Sequence, residues 1–168
     1  MKWLGALIVI VGCGGFGYRL AAAYRREERM LERLLRALEH MRCELTYRLT
    51  PLPELCRQAS QVAGGTLAAA FDRLAQELER QIAPDAERCM EAVLAAAPNL
   101  PDKTEKLMHL LGMSLGRFDL DGQLRGLEGI CRDCTRELDC LRQGKEGRLR
   151  SIQTLGLCAE AALAILFL

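Results

Sequence analysis

Residues 28–49, ERMLERLLRALEHMRCELTYRL, place Leu31, Leu34, Leu38, Met41 and Leu45 at steps of three, four, three and four. That spacing is an a/d heptad stripe, which puts every apolar residue on one face of a helix. A second stripe lies far down the chain. Leu124, Leu127, Cys131, Cys134, Leu138 and Leu141 step by three, four, three, four and three. Isolated helices of this length gain little from propensity alone, so the two stripes are expected to bury each other. No stretch alternates with period two, and no strand is expected.

The sequence between the stripes is punctuated into short helices. Thr50-Pro51 stops the first long helix, because the residue before proline is pushed out of the helical region. Thr50 is expected to cap the next helix, with Pro51 at its first position and Gly64-Gly65 as its end. A third helix is expected over 66–82, with Leu67, Phe71, Leu74, Leu78 and Ile82 on its apolar face. After Pro84-Asp85 a short helix covers 86–97, and Pro98-Asn99-Leu100-Pro101 is a loop. Asp102, with Glu105 three residues on, reads as a capping-box variant for a helix at 103–115. Gly116–Gly122 is the next break, and the last long helix starts near Asp121. The expected fold is therefore all-α: an antiparallel bundle of about six helices with long first and last members.

The ends differ from the middle. Residues 3–18 carry no charge, and 151–168 carry one, Glu160. Residues 25–150 hold 21 basic and 21 acidic residues, the pattern of a water-soluble helical unit. A bilayer-spanning helix needs roughly 20 mostly apolar residues, with a lower limit near 17. The reading is a transmembrane helix at 1–24, a helical domain at 25–150 and a transmembrane helix at 151–168; the other reading takes both ends as buried helices of a soluble bundle. Arg25, Arg26 and Arg29 follow the first span, and Lys145, Arg148 and Arg150 precede the second. The positive-inside rule then puts the middle in the cytoplasm and both termini outside. Between the spans, Glu160 has two readings, a pair with Arg19 or a protonated carboxyl facing a helix partner, while Cys13, Gly17 and Ala21 recur every four residues as a ridge for close helix approach and self-assembly. An alternative takes Ile10-Val11-Gly12-Cys13 as a lipoprotein cleavage pattern, with an extracytoplasmic coiled-coil protein anchored at Cys13; the apolar run continuing through Gly17 and the arginines beyond oppose it.

Composition excludes several function classes. The 168 residues carry a net charge of +1, which argues against a polyanion such as nucleic acid as main partner. No phosphate loop is present: Gly144-Lys145 is followed by Glu146, and Asp139 stands where the first glycine is needed. There is no G-x-S-x-G and no H-E-x-x-H, and acid groups such as Glu27 and Glu28 sit among arginines, as on solvated helix faces. Eight cysteines fit a reducing compartment, where they act as small hydrophobes. Cys131 and Cys134, with Cys140, His40 and Cys43, have the residue types for zinc. The heptad register opposes this, placing Cys131 and Cys134 in the stripe and His40, Cys43 and Cys140 off it. No catalytic residue, cofactor or metal ligand is expected.

The segments KWLGALIVIVGCGGFGYRLA (2–21), ELTYRLTPLPEL (44–55), LLGMSLGRFDLDGQLRGL (110–127) and LGLCAEAALAILFL (155–168) together resemble the stage III sporulation protein AB family of endospore-forming Firmicutes. The T-P-L segment falls on Thr50, Pro51 and Leu52. The LG-x-x-LG-x-x-D-x-x-x-Q segment falls on Leu111, Gly112, Leu115, Gly116, Asp119 and Gln123. The chain departs from the expected pattern at Glu160 and in its cysteine content. The resemblance implies a role in the channel complex linking mother cell and forespore. Family members are similar to the platform protein of type II secretion and type IV pilus machines, whose helical cytoplasmic domain is thought to couple a hexameric ATPase to the membrane apparatus. The partners so implied are a secretion-type ATPase, other membrane proteins of the channel, lipid and further copies of the chain. The expected partner surface is the membrane-distal end of the hairpin: Thr50, Pro51, Leu52, Gly112, Gly116, Arg117, Asp119 and Gln123. The bland alternative is that Thr50, Asp119 and the glycines only cap and turn the helices.

Overall fold

The computed structural model describes residues 2–80, 85–97, 100–116 and 119–167, with side chains described for 22–80, 85–97, 100–116 and 119–144. Six helices follow one another: α1 (Lys2–Arg48), α2 (Leu52–Ala63), α3 (Gly65–Arg80), α4 (Ala86–Ala95), α5 (Asp102–Ser114) and α6 (Leu120–Phe167). Among the described residues there is no strand. The all-α expectation holds, with helix boundaries displaced by one or two residues.

Both heptad stripes do what their spacing predicts. Leu31, Leu34, Leu38 and Met41 have no exposed surface, and Leu45 is buried. On α6, Leu127, Cys131, Cys134 and Leu138 are buried, with Leu124 and Leu141 packed at the margins. Each fully buried leucine contributes about 1.5–3 kcal/mol relative to an exposed one. The two helices run antiparallel. The Cys134 thiol donates to the Leu31 carbonyl at 3.4 Å, and Arg42, Cys43, Thr46 and Tyr47 border the same groove as Leu124 and Glu128. The short helices complete the bundle: α2 pairs with α3 and lies on α1, α4 pairs with α5, and α5 closes against α6. Phe71 on α3 is completely buried among them. The α2–α3 turn uses Gly64 and Gly65, both at positive φ, a conformation that costs glycine nothing.

Three local expectations are corrected. α2 begins at Leu52, not at Pro51, and Thr50 does not cap it. Pro51 occupies the N-cap position, and the Thr50 hydroxyl turns back to Glu44. Asp102 is not an N-cap either. Helix α5 starts one residue earlier than expected, so Pro101 is the N-cap and no side chain caps it. Asp102 and Glu105 instead lie in its first turn, where a carboxylate favours the positive end of the helix dipole.

Both long helices continue into the segments expected to span a membrane: α1 starts at Lys2, and α6 reaches Phe167. At 47 and 48 residues each is about 70 Å long. Among the described residues no helix is long and apolar enough to cross a membrane. The side chains of Cys13, Gly17, Arg19, Ala21 and Glu160 lie outside the described residues, as do the expected ridge and the Arg19–Glu160 pair.

Candidate functional site

The end of the bundle where α1 stops and α6 starts gathers the two breaks singled out by the sequence. Leu49 ends α1 with φ 52°, the left-handed conformation usually reserved for glycine. A β-carbon there crowds the following carbonyl, at a cost of about 1–2 kcal/mol. The turn is held from both sides. Thr50 Oγ1 donates to Glu44 Oε2 at 3.0 Å, and Arg48 approaches Glu44 Oε1 at 3.6 Å. Glu44 itself is buried. On the surface, Tyr47 is 81% exposed and Leu49 64% exposed. Two large apolar side chains therefore face water beside the Thr50 turn.

The second break folds against the first. A β-carbon at Gly116 would lie 3.7 Å from Leu52 Cδ2 and 3.8 Å from Ala86 Cβ, so the α5–α6 turn rests on the starts of α2 and α4. Gly116 has φ 74° and needs to be glycine. Asp119 caps α6: its Oδ1 accepts from the Gly122 amide at 3.1 Å, and its carbonyl accepts from the Gln123 amide at 3.0 Å. Gly112 is buried where α4 and α5 touch, since a β-carbon there would come within 2.6 Å of Met90 Cβ.

The expected partner residues therefore divide by place. Pro51, Gly116 and Asp119 are exposed, Thr50, Leu52 and Gln123 are half-buried, and Gly112 is packed inside. Arg117 lies outside the described residues. Asp119 caps α6, Gly116 makes the turn before it, and Thr50 acts locally on Glu44 rather than on α2. Sequence reading passed over Tyr47, Leu49, Met113 and Leu120 as surface features. These are four of the five large exposed hydrophobics among the described residues, and all lie at this end. Beside them a groove of about 390 Å³ runs between α1 and α6, lined by Arg42, Cys43, Thr46, Tyr47, Leu124 and Glu128. The available signal was that Tyr47 and Leu49 fall outside the a/d stripe.

The opposite end of the bundle is tied by charge. Arg142 on α6 donates to Glu28 Oε1 at 3.3 Å and Glu32 Oε1 at 2.6 Å on α1. Lys103 on α5 meets Glu137 on α6 at 2.7 Å. Among the described residues, Cys56, Cys89, Cys131 and Cys134 are buried packing groups, while Cys43 and Cys140 are exposed. Burial pushes the Cys56 thiol up to about 12, and burial above all, reinforced by Cys131, does the same for Cys134. Cys131 and Cys89 are also raised, mainly by burial. A thiol held protonated is a poor nucleophile and a poor zinc ligand. The carboxylates and imidazole that do converge are Glu87, Glu91 and His109, from α4 and α5, a set no local spacing announces.

Fold and surface define the class: an all-α bundle built on two antiparallel long helices, with an apolar, locally strained end presented to solvent. The chain belongs to the stage III sporulation protein AB family, whose model matches residues 2–168 under the description "Stage III sporulation protein AB (spore_III_AB)". A solved structure described as "Stage III sporulation protein AB (SpoIIIAB)" is similar in fold, with a TM-score of 0.61 and 17% identity. That likeness covers 73% of this chain and 98% of the solved one. No curated protein matches the chain. Family membership gives the protein a sporulation role.

Proposed function

We propose that the protein is a non-enzymatic platform component of the sporulation channel between mother cell and forespore. In this reading two membrane helices anchor it, the bundle hangs in the mother-cell cytoplasm, and its distal end engages a secretion-type ATPase. The observation that carries the reading is the exposed pair Tyr47 and Leu49 at the end of α1, with Leu49 in a left-handed backbone conformation that costs stability. Strain kept in a surface turn is a common mark of a functional contact. The groove beside it has both an acidic and a basic wall residue, Glu128 and Arg42, and so offers polar complementarity around an apolar anchor.

Rigid helices suit the task. The α1–α6 pair is a continuous lever from the proposed membrane anchors to the distal end, and its packed stripes transmit force without an intervening loop. The test is co-purification of the full-length chain with the channel's ATPase. Tyr47→Ala with Leu49→Gly should abolish capture and sporulation while leaving helicity intact. Undiminished capture and normal spore yield would reject the reading. Topology is tested separately: Cys43 and Cys140 are exposed thiols, and both should react with an impermeant maleimide only after cells are permeabilised.

A further inference from the structure

The geometry points to a divalent metal site between α4 and α5, formed by Glu87, Glu91 and His109, of the Zn²⁺ class. Glu87 and Glu91 are four residues apart on α4 and share one face. His109 comes from α5, with Nε2 3.6 Å from Glu91 Oε1. One ligand atom from each of the three lies within 4.8 Å of the others. In a tetrahedral zinc site with bonds near 2.1 Å, ligand atoms are about 3.4 Å apart. Small rotations of side chains at the surface close that gap.

An independent feature sets the spacing. Gly112 lies one turn beyond His109, and its missing side chain lets α5 come so close that a β-carbon would clash with Met90 of α4. That approach brings a short imidazole within reach of a carboxylate on the neighbouring helix. Two carboxylate oxygens and one imidazole nitrogen are a donor set for Zn²⁺ or its Co²⁺ surrogate, not for thiolate-seeking Cu⁺. Like charges four apart on a helix disfavour it, and a divalent cation reverses the sign of that interaction. Three protein ligands leave a coordination position open to water. The bound ion would tie α4 to α5.

The experiment uses the full-length chain with Cys43→Ser and Cys140→Ser, because these exposed thiols would compete for the metal. Co²⁺ is titrated and its visible absorption followed; Zn²⁺ is titrated by calorimetry. One equivalent should bind, with no thiolate charge-transfer absorption. His109→Ala, Glu91→Gln and Glu87→Gln should each weaken binding by at least about 10-fold. Saturating Zn²⁺ should raise the thermal midpoint of the parent and not of His109→Ala. Absence of Co²⁺ binding by the parent, or unchanged affinity in Glu91→Gln, would overturn the site. Glu91 is more than half exposed, so its variant reports on ligation and not on folding.

Discussion

Thr50 Oγ1 donates to the buried carboxylate of Glu44, six positions earlier, at 3.0 Å, closing the turn at the left-handed Leu49. This one bond links the end of α1 to the surface proposed to meet the ATPase. Thr50→Val removes the donor while keeping the shape, and leaves Glu44 to its Arg48 contact. The expected loss is about 1–2 kcal/mol, read as a lower urea midpoint with an unchanged slope. Leu49→Gly should act oppositely on folding, gaining about 1 kcal/mol by relieving the left-handed strain. Capture of the partner should nevertheless fall. A variant both more stable and less able to bind is the outcome that separates a functional strain from an incidental one.

Glycines on α5 and α6 give a paired test of packing. Gly112→Ala puts a β-carbon 2.6 Å from Met90 Cβ, an atom fixed to the α4 backbone, so the helices must separate. Overpacking of this kind costs about 1–3 kcal/mol, and the thermal midpoint should drop accordingly. It should also weaken the metal site by moving His109 away from Glu91. Gly129→Ala meets nothing within 4 Å and lies inside α6. There the change should stabilise by up to about 1 kcal/mol through helix propensity alone. If both variants melted together, the close α4–α5 contact would be disproved.

Thr104 carries the one buried side-chain oxygen or nitrogen that lacks a hydrogen-bond partner among the described residues. It has no exposed surface and sits on the inner face of α5 with Leu107, Met108 and Leu111. An orphaned hydroxyl costs about 1–3 kcal/mol in such a place. Thr104→Val, nearly isosteric and β-branched like threonine, should therefore raise stability by about 1 kcal/mol, measured by chemical denaturation.

The sequence made some features legible because they are local, and concealed others because they are not. The stripes Leu31–Leu45 and Leu124–Leu141 are periodic along one helix each, so burial followed from spacing. The stops at Thr50-Pro51 and Gly64-Gly65 are written in residues with restricted or permissive backbones. Thr50's actual partner was hidden because its hydroxyl had a forward option, capping α2, and a backward one, Glu44; buried carboxylate chemistry decided for the second. Asp102 was misplaced by a single residue, enough to turn a cap into a first-turn carboxylate. Glu87, Glu91 and His109 meet across two helices that approach closely at Gly112, and no spacing within one helix encodes that. Tyr47 and Leu49 lie off the stripe, and spacing alone does not say that their exposure sets that end of the bundle apart.

The buried thiols predict an alkaline limit to stability. Cys56 and Cys134 have folded values pushed from 9.0 up to about 12, chiefly by burial. In the unfolded chain they ionise near the ordinary thiol value, so above about pH 9 the unfolded state binds fewer protons than the folded one. Stability then falls as pH rises, by about 1.4 kcal/mol per pH unit for each such thiol, until the folded groups ionise in turn near pH 12. Below about pH 9 both states hold the proton, and these groups contribute no slope. Urea midpoints measured from pH 7 to 10.5 should be flat as far as these groups go and then decline. Cys56→Ala with Cys134→Ala should lower the plateau through lost packing and flatten the alkaline decline. Thiol labelling gives the companion readout: Cys43 and Cys140 should react at once, and Cys56, Cys89, Cys131 and Cys134 only at the rate of unfolding. Rapid labelling of Cys134 in the folded chain would show that the α1–α6 seam opens far more readily than its buried stripes allow.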